Sequence, residues 1–377
     1  MFTRCYCRNS INSCRTYLSD YSNYSDNNQI NMSLSGKFLT KYPNFNLNKI
    51  KYDKYFLQKD LENLENIIKN KFNLRKEVII SAGVNGALQN IIKILFANQK
   101  GKKNLVTPFY TFDQSEYAVT SFGGYTKRVF CDGYKINLSN MVKAIDKKTK
   151  MVYLCNPNNP TGLYVKSSEI IRFANICNKL IVVDESGIEY TNNKSILDYE
   201  DIPDNIIVLR TFSKAYGLAT LRIGFIVCSE RFKDEYMKKI TINEISGISC
   251  EIVEDVLENR ECYMKSNVNL IIKERNNIIT SLEKLNIKCL SSCSNIIMTE
   301  TTFSKDFFKK LTIGGITVIP IKDENNKIHL RIAVQDIKTN KLFIKKMEKI
   351  LKEKNCFLKG VKLYEKMSVC SRSRLGK

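Results

Sequence analysis

The chain has 377 residues, 43% of them hydrophobic, which is enough for one large domain and a smaller one; no apolar run reaches membrane-spanning length, so a soluble protein with no membrane partner is expected. The net charge of +22 comes mostly from lysines dispersed among asparagines, and without an aromatic–basic motif it suits attraction of acidic, phosphorylated small molecules better than nucleic-acid binding. A single histidine, His329, excludes serine–histidine hydrolases, histidine zinc sites and histidine general bases, while 13 scattered cysteines without a C-x-x-C pair read as free thiols in a reducing compartment.

Residues 1–25 read as an extension. Arg4, Arg8 and Arg15 stand among serines with no acid before Asp20, a composition that fits either a disordered tail or an organellar targeting segment; without targeting, the cytoplasm is expected. Residues 26–50, rich in Asn, Ser and Tyr, form an arm. The large domain is expected over 51–250, beginning with a helix from Leu61 to Phe72. Ile79-Ile80 then runs through Ser81-Ala82-Gly83-Val84-Asn85-Gly86 into an apolar helix ending at Phe96. A glycine turn entering a helix aims free N–H groups at an anion, although plain strand–turn–helix punctuation explains the same residues. Leu105 to Thr107 is a strand leading into an aromatic loop, Pro108 to Phe112.

Met151 to Leu154, a helix from Ser168 to Asn178 and Leu180 to Val183 make a βαβ unit with parallel strands. Asn156-Pro157-Asn158-Asn159-Pro160-Thr161-Gly162 follows the first strand, and Asp184 ends the second. Ligands of open α/β sheets bind at the rim formed by the strands' C-terminal ends, so these stretches converge with the next one. That stretch runs from Thr211 to Gly224 between the apolar runs Ile206–Leu209 and Ile223–Cys228. Lys214 lies among small and hydroxylated residues with Arg222 eight positions on. Thr211, Ser213 and Arg222 are donors of the type that hold a phosphate, and a lysine amine beside a phosphate cup suits pyridoxal phosphate. A carboxylate at Asp184 keeps a pyridine nitrogen protonated and makes the ring an electron sink.

From Asn243 to about Leu285 the pattern is helical, with a domain boundary inside it. The small domain, 251–358, then shows a strand around Asn295–Met298, a helix from Lys305 to Leu311, a strand at Ile316–Ile319 and another at His329–Val334. His329 reads as a strand side chain near Arg331. Residues 359–377 are a basic tail.

The order Asn-Pro-Thr-Gly, Asp, Ser-Lys-x-x-Gly-x-x-x-x-Arg-x-Gly resembles the class I/II pyridoxal-phosphate-dependent aminotransferases. The fuller strings CNPNNPTG and VLRTFSKAYGLATLRIGF are most similar to the histidinol-phosphate aminotransferase branch, over roughly residues 40–355. The resemblance implies a fold-type I α/β enzyme, with a mostly parallel, seven-stranded type of sheet in the large domain and a small α/β domain built from both chain ends. It implies a homodimer, with the arm reaching the partner's site, and an amino donor and a 2-oxo acid acceptor as substrates. Backbone N–H groups of Val84 and Asn85 would form a wall of the phosphate cup, and Tyr55 would reach the neighbour's cofactor phosphate, with simple packing as its other role. Phe112 would stack on the ring, with Tyr110 as the rival and core packing as the alternative for both. Asn159 would bind the ring oxygen, Asp184 the ring nitrogen and Arg331 the substrate carboxylate, and Lys214 would shuttle the α-proton.

Four departures stand out. Gly86 replaces an acid of the family pattern, and Gly187 replaces a tyrosine whose hydroxyl would bind the ring oxygen, a loss of about 1.5–3 kcal/mol. Ile319 replaces the arginine that helps bind a substrate phosphate, and residues 31–36 lack the usual Asn-Glu motif. They keep three other readings open: a decarboxylase of the threonine-phosphate type, a degenerate protein that retains the pocket for binding, and a nucleic-acid-associated role carried by the charge.

Overall fold

The computed structural model describes residues 5–7, 30–42, 44–45, 58–240 and 245–353. The strands of the main sheet are β1 (Cys5–Cys7), β3 (Glu77–Ser81), β4 (Asn104–Pro108), β5 (Tyr125–Val129), β6 (Thr149–Cys155), β7 (Leu180–Asp184), β8 (Ile206–Thr211) and β9 (Gly224–Cys228). Their order is β1-β5-β4-β6-β7-β8-β9-β3. From β5 to β8 all neighbours are parallel; β9 runs antiparallel to both β8 and β3. The edge strand β1 lies within the stretch read as a disordered or targeting extension. Its three residues pair antiparallel with β5, whose outer edge offers unpaired backbone groups. The rest of 1–29 lies outside the described residues.

Near-continuous apolar strands are what a sheet covered on both faces requires, and successive residues split between the two sides. Ile79, Leu105, Met151, Tyr153, Val182, Leu209 and Ile226 pack with helices α2 (Gly83–Phe96), α3 (Gln114–Ser121) and α6 (Glu230–Lys239). Their neighbours Val78, Ile80, Val106, Val152, Ile181, Val183, Val208 and Val227 face the other core. That core is covered by α1 (Gln58–Lys71), α4 (Leu138–Ala144), α5 (Ser167–Ile176), α7 (Gly247–Asn259) and α8 (Glu261–Lys284). Each such fully buried side chain contributes about 1.5–3 kcal/mol relative to exposure.

The predicted helical run from Asn243 is two helices: Arg260, at φ −130°, interrupts it between α7 and α8. The small layer joins β10 (Ile296–Met298), β13 (Ile328–Ala333) and β12 (Ile319–Lys322) in an antiparallel sheet, flanked by α9 (Lys305–Ile313) and α10 (Ile337–Lys352). The strand expected over 316–319 is divided at Val318. β11 (Ile316–Thr317) pairs in parallel with β2 (Ile30–Asn31) of the arm, and β12 pairs with β13. Both chain ends therefore build the small layer. No helix among the described residues is long and apolar enough to cross a membrane.

Candidate active site

Parallel pairing brings the ends of β6, β7 and β8 to one rim. Cys155 pairs with Asp184 and Asp184 with Leu209, while Thr211 and Ser81 both pair with Gly224 across the antiparallel β9. The stretches that carry the candidate residues therefore leave the sheet side by side.

Asp184 is 3% exposed, and its carboxylate is held from both sides. Oδ2 accepts the Tyr153 hydroxyl at 2.9 Å, and Oδ1 accepts the Ser186 N–H at 2.9 Å together with the Ser186 hydroxyl. A carboxylate has about four lone-pair sites, so these three donors leave room for one more. Cys155 pairs with Asp184 across β6 and β7 and is buried. Burial, then the Asp184 charge, pushes this thiol up to about 12, while the Lys214 charge, the Asn159 backbone N–H and the Tyr153 hydroxyl pull the other way. Asp184, its partner across the strand pair, and the Asn159 N–H thus lie beside one buried sulfur.

That turn is locked by its other two asparagines. Asn156 bonds both the N–H and the C=O of Val165 at 2.9 Å, and Asn158 donates to the Tyr110 carbonyl at 2.8 Å and to Thr161 at 3.0 Å. Asn159 is half-buried, and its side-chain amide has no hydrogen-bond partner among the described residues. The two aromatics of the 108–112 loop differ. Tyr110 is buried beside Tyr134 and Phe109 with its hydroxyl toward Glu324, whereas Phe112 is half-buried against the α2–α3 side of the core.

The phosphate-type donors gather at the start of α2. Ala82 supplies no side-chain cap, so the first-turn N–H groups, those of Val84 and Asn85, are left to an outside acceptor. Gly83 has φ +70°, and a Cβ there would lie 3.1 Å from an Arg222 guanidinium nitrogen. Arg222 is exposed and itself left-handed at φ 52°. It reaches the Ser213 hydroxyl at 3.4 Å and the Ala219 carbonyl at 3.2 Å, with no carboxylate partner among the described residues. An uncapped helix start facing an uncompensated guanidinium across a glycine fits a phosphate. Thr211, expected at the phosphate, accepts the Ser213 N–H at 3.1 Å and so orients Ser213. Gly86, the departure in this stretch, follows on α2 with Ala82 where its Cβ would sit.

Arg331 is 4% exposed on β13 and bonds the Ser33 carbonyl and, at 3.1 Å, the Ser35 hydroxyl. The arm then continues to Gly36, where a Cβ would lie 3.5 Å from the Ser213 carbonyl. Arg331 is thus joined to the Lys214 loop by a short run of arm. Ile319 pairs directly with Arg331. At Gly187 a Cβ would meet the Ser294 hydroxyl at 3.1 Å, and Tyr190 is buried in the main core with its carbonyl on Arg275, so it does not stand in for the absent tyrosine. His329 is buried on β13, with Nδ1 2.9 Å from the Thr299 carbonyl and Nε2 3.6 Å from Asp323. Tyr55 lies outside the described residues.

The family model for aminotransferases of class I and II matches residues 47–347. The chain belongs to this family. Its members depend on pyridoxal phosphate, and this chain is one of its enzymes, an aminotransferase. A histidinol-phosphate aminotransferase of Thermoanaerobacter pseudethanolicus is 35% identical over 224 residues; the match takes in 58% of this chain and spans 63% of that relative's length. The structure of a histidinol-phosphate aminotransferase from Sinorhizobium meliloti with pyridoxal-5'-phosphate superposes with a TM-score of 0.70 at 22% identity, over 79% of this chain and 83% of that one. An L-threonine-O-3-phosphate decarboxylase from Porphyromonas gingivalis superposes with a TM-score of 0.63 at 20% identity, over 77% and 89%. The aminotransferase fold expected from the motifs is thereby established, and the fold alone does not separate transamination from decarboxylation.

Several site residues were invisible in the motifs. Tyr153 and Ser186 hold Asp184, and Asn158 ties Tyr110 to the Asn159 turn. Only Tyr153 carried a sequence signal: it lies two residues before Cys155 and so shares its face.

Proposed function

We propose that the aminotransferase moves an amino group between an amino acid or amino-alcohol phosphate and a 2-oxo acid, as a histidinol-phosphate aminotransferase does. The observation that carries this reading is the buried Asp184 carboxylate, held by Tyr153 and Ser186 at the rim where β6 and β8 lead into the Asn159 turn and the Lys214 loop. In this reading Ser213, Arg222 and the N–H groups of Val84 and Asn85 hold the cofactor phosphate. Asp184 keeps the ring nitrogen protonated, with Tyr153 and Ser186 fixing its orientation. Asn159 donates to the ring oxygen. Tyr110 is favoured over Phe112 for stacking, because its carbonyl is bound by Asn158 of the same turn. Arg331 takes the substrate carboxylate in exchange for its Ser35 contact. The Lys214 amine would hold the cofactor covalently at rest and, once a substrate amine displaces it, would remove the α-proton as general base and deliver it back as general acid, a role worth about 10²–10⁴-fold. Pyridoxal phosphate supplies the electron sink.

A homodimer is part of this reading: Tyr55 would come from the partner, and Leu34, 70% exposed beside Arg331, would be covered by it. Sedimentation at twice 43.5 kDa is the expected result. The central test is the visible spectrum with added pyridoxal phosphate, beside Lys214→Ala, followed by a panel of donors including histidinol phosphate and a 2-oxo acid. A Lys214-dependent band and a keto product from one donor are expected. Release of carbon dioxide without consumption of the 2-oxo acid would replace the reading by the decarboxylase one. Absence of any Lys214-dependent band would end it.

A further inference from the structure

The loop that carries Lys214 has no regular secondary structure, yet its backbone is held at nearly every carbonyl. Phe212 and Lys214 accept N–H groups from within the loop, those of Leu218 at 2.9 Å and Gly217 at 3.0 Å. The next two carbonyls are held from outside. Ala215 accepts from the Asn267 amide at 3.0 Å, and Tyr216 accepts from the Tyr42 hydroxyl at 2.8 Å. Asn267 is fully buried on α8, and its oxygen accepts the Leu39 N–H at 2.7 Å. One side chain therefore bonds the loop with one end and the arm with the other. The arm follows the loop along its length. Gly36 lies against the Ser213 carbonyl, and the Phe38 ring fills the space where a Cβ at Gly217 would go. Phe38 stacks on Tyr42 with centroids 4.5 Å apart, and Tyr42 lies 5.9 Å from Tyr263 of α8.

Both ends of the buried Asn267 amide are satisfied by backbone of two separate segments, and each bond constrains a chain that has no ladder of its own. We propose that Asn267 is a positioning residue for Lys214: it fixes the carbonyl that follows the lysine and clamps the arm over it, with Tyr42 as the second clasp. This inference rests on the reading of Lys214 given above. Reach and direction of a lysine amine depend on its own backbone, so freeing the Ala215 carbonyl affects catalysis and leaves substrate binding at Arg331 largely intact.

The test compares Asn267→Leu, Asn267→Asp and Tyr42→Phe with the native protein. Aspartate, measured at a pH where it is ionised, keeps an acceptor for Leu39 but offers no donor to Ala215, so it separates holding the loop from holding the arm. Amide hydrogen exchange of residues 214–218 is measured on the cofactor-free chain, and the pH midpoint of the Lys214-bound absorption band on the loaded one. Expected are exchange faster by about tenfold in that loop and unchanged in β7, a displaced midpoint, and kcat lowered about tenfold with the donor KM near the native value, in both Asn267 variants, with Tyr42→Phe intermediate. An Asn267→Asp protein that matches the native one in exchange and midpoint overturns the proposal. If Asn267→Leu does not fold, unchanged loop exchange in Asn267→Asp and Tyr42→Phe overturns it equally. A native protein without a Lys214-dependent band defeats the catalytic reading, and the exchange measurement still decides whether Asn267 holds the loop.

Discussion

Arg222 and Cys155 show how single residues report on the site. Arg222 sits exposed and left-handed beside an uncapped helix start, without an anionic partner among the described residues. Its charge is therefore available to a bound phosphate. Arg222→Ala is expected to weaken pyridoxal phosphate binding by about ten- to a hundredfold, the range of a charged hydrogen bond, in a titration of the cofactor-free protein. An unchanged affinity would remove Arg222 from the cup. Cys155 makes the opposite kind of prediction. With burial and Asp184 holding its thiol at about 12, little thiolate forms at pH 8, so alkylation there should spare Cys155 and modify exposed Cys262. Mass mapping of the native protein checks this. Tyr110 and Phe112 are told apart by substitution. Loss of cofactor affinity in Tyr110→Ala but not in Phe112→Ala would settle it toward Tyr110, whose position next to Asn158 no motif announced.

Elements bring these residues together through two close approaches of backbone. Gly224 on β9 pairs with both Thr211 and Ser81, and a Cβ there would fall 2.5 Å from the Arg210 carbonyl and 3.2 Å from the Gly83 Cα. No side chain fits between β8, β9 and the start of α2. Gly224→Val should cost about 1–3 kcal/mol of stability through overpacking, and should lower cofactor affinity further by pushing the α2 start from Arg222. Urea unfolding of the cofactor-free protein separates the two effects; a variant as stable as the native one would refute the close-packing account. Six strands of the main sheet were legible as apolar runs and α1, α2, α5 and α9 as helical patterns, with the βαβ unit around α5 expected within a few residues, whereas β1, β5, α3, α4, α6 and α10 were not. The break at Arg260 and the division at Val318 were not, because both depend on partners elsewhere. Arg260 bonds Asp255 and lies 4.6 Å over Phe45, and β11 exists only where β2 lies alongside it.

For the whole molecule, charge placement sets the response to acid. Burial alone would raise the Asp146 carboxyl, but bonds from Lys127, Asn104 and the Lys148 N–H outweigh it and hold the group below its ordinary value. Glu77, beside Lys69 and Lys233, and Asp336, at the α10 start, are depressed in the same way against burial, and Lys71 and Lys265 depress Glu261. A depressed carboxylate contributes stability above its unfolded value and loses it as pH falls through the folded one. Glu65 and Glu185 have the reverse sign: burial raises both, so their contribution is present below the unfolded value and fades as pH rises through the folded one. Melting temperature should therefore fall steeply from about pH 4 downward, and Lys127→Met should flatten part of that slope by removing the partner of Asp146. A slope identical to the native one would show that this pair contributes nothing.

What the amino-acid sequence determined by itself was the apolar runs of six strands of the main sheet and the family motifs that contain Lys214, Asp184 and Arg222, because each is written in residues adjacent along the chain. The tertiary structure alone decided how they are held. Tyr42 reaches Tyr216 across 174 positions, Asn267 reaches Leu39 across 228, and Arg331 reaches Ser33 across 298. A hydrogen bond depends on distance and angle in space, and separations of that size leave no periodic trace in composition or spacing; only the register of the sheet and the path of the arm bring such groups within three ångströms or so of one another.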